Sequence, residues 1–156
     1  MKIRNYINIF LIITWMLVIF NFSNQTGTSS SGLSNRIIIG IAEIFNKDLT
    51  TKEKEELVDK YKVIVRKGAH FGAYFILGTL TIILFIDIKG TTKLSFIISN
   101  LICTIYAATD EIHQLFIPGR CGSIIDVLID SCGSLTAIII IFTITSLIKK
   151  NKSTNK

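Results

Sequence analysis

Residues 66–88 read RKGAHFGAYFILGTLTIILFIDI. Two cations and a run of small residues lead into an apolar block with one charge near its end. A hydrocarbon core of about 30 Å takes about 20 helical residues, so this block is long enough to cross a bilayer. A soluble domain of 156 residues could not hide such blocks, because small domains keep much of their surface exposed. In lipid the backbone must satisfy its own hydrogen bonds, and no alternating barrel pattern is present, so the block is a helix.

Working outward, further apolar blocks lie at about 6–22, 94–110 and 124–148. The expected fold is all-α: a polytopic membrane protein with four transmembrane helices over 6–22, 68–88, 94–110 and 124–148. Residues 1–150 are read as one domain, and 151–156 as a basic polar tail, with fraying from Ile148 onward. The first and third blocks are short and borrow a flanking turn. The first also resembles the start of a signal peptide, but Phe22-Ser23-Asn24-Gln25-Thr26 has no pair of small residues for cleavage, so an uncleaved span is expected.

Composition agrees. Apolar residues make up 49% of the chain, and the mean hydropathy is +0.54. The net charge of +6 does not point to nucleic acid, because the cations flank apolar blocks instead of forming a stripe, and anionic headgroups favour that placement. Three cysteines at these spacings make neither a disulfide framework nor a CxxC metal site. Cys103 and Cys132 are read as small apolar residues within their blocks, and Cys121 as a loop thiol.

The connection between the first two blocks is long and partly helical. Ser29, Ser30, Ser31, Gly32 and Ser34 suggest a turn or cap. Ile37, Ile38, Ile41, Ile44 and Phe45 then make the apolar face of a short interfacial helix. Thr50 and Glu53 have capping-box spacing, and the helix they start carries Leu57, Val58, Tyr61, Ile64 and Val65 on one face and runs into the second span. With both termini cytoplasmic, the inner pieces hold Lys2, Arg4, Lys89, Lys93, Lys149, Lys150, Lys152 and Lys156 against Asp87 as their one acid. Cation-rich short loops favour that orientation, which makes the long first loop extracytoplasmic.

This topology gathers three polar groups at one membrane face. Arg66, His70 and Tyr74 are spaced four apart on the second span, with Lys67 beside them, and share a helical face. Asp110, Glu111, His113 and Gln114 end the third. Pro118, Gly119 and Arg120 form the return loop, and Ser123, Asp126 and Asp130 open the fourth span. Ionisable groups in spans are costly and persist when paired, hydrated or functional. A purely structural network pinning helix ends is one reading, with strong Arg–carboxylate pairs expected at its centre. His113 is read as a hydrogen-bonding partner, and Tyr74 as an interfacial aromatic or a site residue.

The pieces Arg66-Lys67-Gly68-Ala69-His70-Phe71-Gly72-Ala73-Tyr74, Asp110-Glu111-Ile112-His113-Gln114-Leu115-Phe116-Ile117-Pro118-Gly119-Arg120 and Ser123-Ile124-Ile125-Asp126 resemble the VanZ-like membrane proteins, as does Phe22-Ser23-Asn24-Gln25 followed by Ser29 and Ser30. The resemblance covers most of the chain in order. Asp130 departs from it, standing where related sequences often have Asn. The resemblance implies a small bacterial cell-membrane protein of the envelope, named for a member linked to teicoplanin (glycopeptide) resistance, and it implies no settled reaction.

Two functions are therefore carried forward. In the first, a non-catalytic protein binds membrane lipids, a lipid-linked cell-wall precursor or the lipoglycopeptide at an outer-face polar pocket. The binding set is Arg66, Lys67, His70, Tyr74, Asp110, Glu111, His113, Gln114, Arg120, Ser123 and Asp126, with the guanidiniums clamping phosphate or carboxylate. In the alternative, an enzyme acts on a lipid-linked precursor, with Asp110, Glu111, Asp126 and His70 as catalytic candidates: the carboxylates would hold a divalent cation or act as acid and base, and His70 or His113 would move protons. No HExxH, phosphate-cradling glycine loop or activated nucleophile supports it. A metal is not expected, because the nearby cations repel one, and no cofactor is implied. A transporter is disfavoured by having only four short helices.

Overall fold

A computed structural model describes residues 3–154, which form five helices: α1 (Ile3–Ser23), α2 (Gly27–Phe45), α3 (Thr51–Lys89), α4 (Lys93–Gln114) and α5 (Ile124–Thr154). Lys2 and Lys156, counted above among the inner cations, lie outside the described residues. The all-α expectation holds. α5 continues past Ile148 to Thr154.

The count of spans is corrected. Three helices are long and apolar enough to cross a membrane: α1, α3 and α5 (the last over Ile124–Lys152). The third apolar block is not. Ser95, Ser99, Asn100, Thr104, Thr109, Asp110 and Glu111 dilute its hydropathy. Those polar residues are not scattered round α4. Ser95, Ser99, Cys103, Ala107, Asp110, Glu111 and Gln114 are buried, whereas Leu94, Ile97, Leu101, Ile105 and Ile112 point outward. The helix is amphipathic with its polar face inward, the reverse of a helix on a water-soluble protein.

The second half of α3 packs on α5, α4 and α1. Near the Lys89 end, Arg4 pairs with Asp87, and Ser95 Oγ donates to Gly90 O at 2.7 Å. At mid-height Trp15 Nε1 donates to Ala73 O at 2.8 Å and Tyr106 Oη to Met16 O at 2.6 Å, tying α1 to α3 and α4. Tyr74, Leu77, Cys103, Ala107, Ile12 and Ile19 fill the seam. Tyr74 is fully buried there, beside Tyr106, and so is not an interfacial aromatic. Cys132 points outward, whereas Cys103 is buried.

The long connection is more ordered than its sequence suggests. Of the turn and cap readings of the serine run, the structure shows the second: Thr26 caps Ser29 N, and α2 begins at Gly27, so the serines form its first two turns. The capping box at Thr50 and Glu53 is present, with Glu53 Oε2 accepting from Thr50 N at 2.8 Å and Thr50 Oγ1 accepting from Glu53 N. From there α3 runs unbroken to Lys89, and α2 packs along its first half.

Candidate functional site

One end of the bundle collects the last turn of α1, the start of α2, the middle of α3, the end of α4 and the start of α5. The loop that closes this end depends on two glycines. Gly119 adopts φ +73°, a conformation costly for other L-residues, and Gly27 N donates to Pro118 O at 3.1 Å. A Cβ on Gly27 would stand 1.9 Å from Gly119 O, so the return loop reaches α2 only because Gly27 has no side chain.

Arg120 projects from this loop. Its Nη2 donates to Ser30 Oγ at 2.8 Å and to Phe22 O at 3.2 Å, joining α1 and α2. Burial, and then repulsion from Arg66, draw its pKa below the ordinary arginine value, while Asp110, Glu111 and Asp126 oppose the shift. Arg66 donates to Asp126 Oδ2 at 3.5 Å, with 42% of its side chain exposed. Such a long, half-exposed pair contributes little to stability.

The strong Arg–carboxylate pairs expected from the sequence are therefore replaced by neutral donors. Asp110 Oδ2 accepts from Ser23 Oγ at 2.7 Å and from Gln114 Nε2 at 3.3 Å. Glu111 accepts from Gln114 Nε2 at 2.9 Å and from the Ser123 backbone N–H at 2.9 Å, joining α4 to α5. Among the described residues, no Arg or Lys forms an ion pair with Asp110, Glu111 or Asp130. The imidazole of His70 lies 3.2 Å from Asp130 Oδ1 through Nδ1.

Two cavities meet at this end. One, of about 360 Å3, lies between α1, α2 and α3, with apolar walls from Trp15, Ile19, Phe22, Leu33, Ile37, Val65 and Ile76. Arg66, His70, Asp110 and Arg120 supply its polar part. The other, of about 240 Å3, lies between α2 and the first half of α3 and is polar: Ser31, Asn35 and Lys62 line it. Ser30, Ser34, Arg66 and Arg120 belong to both.

The sequence-based set is thus mostly assembled at one end but serves different purposes. Arg66, His70, Asp110 and Arg120 face the apolar cavity. Tyr74 also borders it, from the core. Glu111, Gln114, Ser123 and Asp126 are bound into the helix junction. Lys67 is half-buried and joins no ion pair among the described residues. His113 turns away from the acids, its ring stacking on Phe20 at 4.7 Å between centroids, so the hydrogen-bonding role expected for it is not seen. Ser23, Ser30, Ser34 and Lys62 were not among the candidate site residues read from the sequence. Their signal was weak, since hydroxyls near a helix start read first as caps. One ligand atom each from His70, Glu111 and Asp130 lie within 4.8 Å of one another, a spacing that admits a metal ion.

A family model described as VanZ/LLP1 matches residues 8–146. Neither the curated proteins nor the solved structures give a match.

Proposed function

The chain belongs to the VanZ/LLP1 family, and from that premise we propose that it is a multi-pass cell-membrane protein of the envelope, of the glycopeptide-resistance kind, that binds an anionic lipid or lipid-linked ligand between α1, α2 and α3. The observation that carries this reading is the position of Arg66 and Arg120, shared by an apolar cavity and a polar one. An amphiphile needs such a boundary. Its chain would lie along Trp15, Ile19 and Leu33, and its phosphate or carboxylate would meet the two guanidiniums, with Lys62 and the α2 hydroxyls beside them. The teicoplanin-type ligand is one member of this chemical class. The enzyme alternative gains less support, because Glu111 and Asp126 line neither cavity.

The test is mass spectrometry of the lipids and wall precursors retained on protein purified in mild detergent. Each charge-assisted bond is worth about 1.5–3 kcal/mol. The Arg66→Ala/Arg120→Ala double variant should therefore retain about 100-fold less anionic amphiphile than wild type. Equal retention by the folded double variant would overturn the reading.

In this reading α4 lies in the bundle beside the three spans α1, α3 and α5. It runs from beside Gly90 back to Ser23, its apolar face meeting lipid and its polar face covered by α3 and α5. That path returns the chain to the starting side, so the two termini share a side, and the cation-rich, acid-poor segments there support a cytoplasmic placement with the Arg120 loop outside. Cys121 is exposed beside Arg120, Cys103 is buried, and Cys132 points outward from within the span α5, where in this reading lipid shields it from an impermeant reagent. A membrane-impermeant maleimide added to intact cells should label the wild type, and Cys121→Ser should abolish labelling. Labelling of Cys121 only after the cells are lysed would reverse the orientation.

A further inference from the structure

We propose that His70, Glu111 and Asp130 bind a divalent first-row transition cation, Zn2+ or Mn2+, where α3, α4 and α5 meet. Each helix contributes one residue, and the three ligand atoms lie within 4.8 Å of one another. Zinc bonds to nitrogen and carboxylate oxygen are about 2.0–2.2 Å, which in a tetrahedral shell puts ligand atoms about 3.4 Å apart. The widest gap therefore closes by about 1.4 Å at most, within reach of side-chain rotation about existing rotamers.

A second observation points to the ion. Asp130 is fully buried, and its Oδ2 has no hydrogen-bond partner. A buried carboxylate with a free oxygen is costly unless a charge or proton meets it. Around it the donors run short. Asp110 Oδ1 and the fully buried Tyr74 Oη are also unpartnered, and Tyr74 lies close enough to Asp110, Asp130 and Glu111 to feel their charges. The cations that would repel a metal are directed elsewhere, Arg66 to Asp126 and Arg120 to Ser30 and Phe22. Of the four carboxylates at this end, Asp110, Glu111 and Asp130 have no guanidinium bond among the described residues. A divalent ion would supply the local counter-charge that Glu111 and Asp130 lack.

The donor set selects the class of ion. One imidazole nitrogen with two carboxylate oxygens suits Zn2+ or Mn2+, whereas Ca2+ and Mg2+ take oxygen-only shells. The inference is independent of the lipid reading, since Arg66 and Arg120 play no part in the coordination.

The experiment uses the full chain in detergent, stripped with a chelator and titrated with each metal chloride by calorimetry. Metal content after desalting is read by elemental mass spectrometry. One Zn2+ or Mn2+ per chain is expected, with Ca2+ and Mg2+ at least about 10-fold weaker. Asp130→Asn, which keeps the side-chain shape, and His70→Gln should each weaken binding by at least about 10-fold, the cost found even for partners outside a coordination shell. Glu55→Gln, on the exposed face of α3, should bind as wild type does. If Asp130→Asn fails to fold, His70→Gln decides alone. No saturable Zn2+ or Mn2+ binding below about 1 mM, binding unchanged in the folded variants, or preference for Ca2+ would each overturn the site. An ion pair between protonated His70 and Asp130 with no metal would give the first of these results.

Discussion

Gly133→Leu is expected to force α5 away from α3 and destabilise the bundle by about 3 kcal/mol or more, at the upper end of what overpacking costs. A Cβ on Gly133 would sit 2.3 Å from Phe71 O, and one on Gly78 would sit 2.5 Å from Ser134 O. The obstacles are backbone atoms, which cannot rotate aside as a side chain would. The two contacts are reciprocal: a glycine of α5 meets α3, and a glycine of α3 meets α5. Small residues that let backbones touch are the usual source of helix association in lipid, where burying apolar side chains gains little. Gly133→Ala should show the same effect at smaller size. Gly68→Ala is the control, because nothing lies within 4 Å of its added Cβ, and alanine favours the helix. Unfolding in detergent, followed by circular dichroism, reads the difference. A melting temperature for Gly133→Leu equal to wild type would show that α3 and α5 do not touch as described. Separation here would also disturb Arg66–Asp126 and His70–Asp130, which lie on the same α3–α5 seam.

Gln114→Leu should cost about 3 kcal/mol although the side chain barely changes in volume. Gln114 is fully buried, and its amide nitrogen stands within hydrogen-bonding distance of Glu111 Oε1 at 2.9 Å, Asp110 Oδ2 at 3.3 Å and Ser23 Oγ at 3.4 Å. Leucine would leave two buried carboxylates each short of a donor, and a hydrogen bond to a charged group is worth about 1.5–3 kcal/mol. Asp110 would keep Ser23 and Glu111 would keep the Ser123 N–H, so folding is weakened without being abolished. Glu55→Ala, on a solvated face, should change stability by less than about 0.5 kcal/mol. The same unfolding assay compares them. A loss under about 1 kcal/mol for Gln114→Leu would mean that the carboxylates find other donors and that the amide is not the hub of the junction.

Much of the helical layout is legible in the residues alone, because it depends on local chemistry. The apolar blocks around Phe10 and Leu80 and from Leu128 to Ile144 specify helices by length and composition, and Thr50 with Glu53 marks the start of α3 through a cap four residues long. The polar motifs 66–74, 110–120 and 123–126 announce a site at one end of the bundle. The block at 94–110 misleads when read by length. Its apolar and polar residues alternate with helical period, so its average hydropathy falls, and only its neighbours decide which face is inside.

The partners within the site could not be read the same way. Charges of opposite sign gathered at one end suggest Arg–carboxylate pairs, yet Arg120 is drawn to Phe22 at the end of α1 and to Ser30, whose position depends on α2 folding back along α3. The serines of α2 look like a local turn until that fold makes them the wall shared by two cavities. His113 has a helical position beside the acids but a rotation that carries it to Phe20.

By itself the sequence determined that the chain is helical, where α3 begins, that the blocks of α1, α3 and α5 suit lipid and which polar residue types gather at one end, since each follows from composition, capping and period over a few turns. Tertiary structure alone decided that α2 closes an apolar cavity of about 360 Å3, that neutral donors rather than guanidiniums hold Asp110 and Glu111, and that His70, Glu111 and Asp130 lie close together. The physical reason is that the rotation and separation of packed helices are set by contacts between distant residues, such as Gly133 against Phe71 and Gly27 against Gly119, where the absence of a side chain on one helix matters only once the other has arrived.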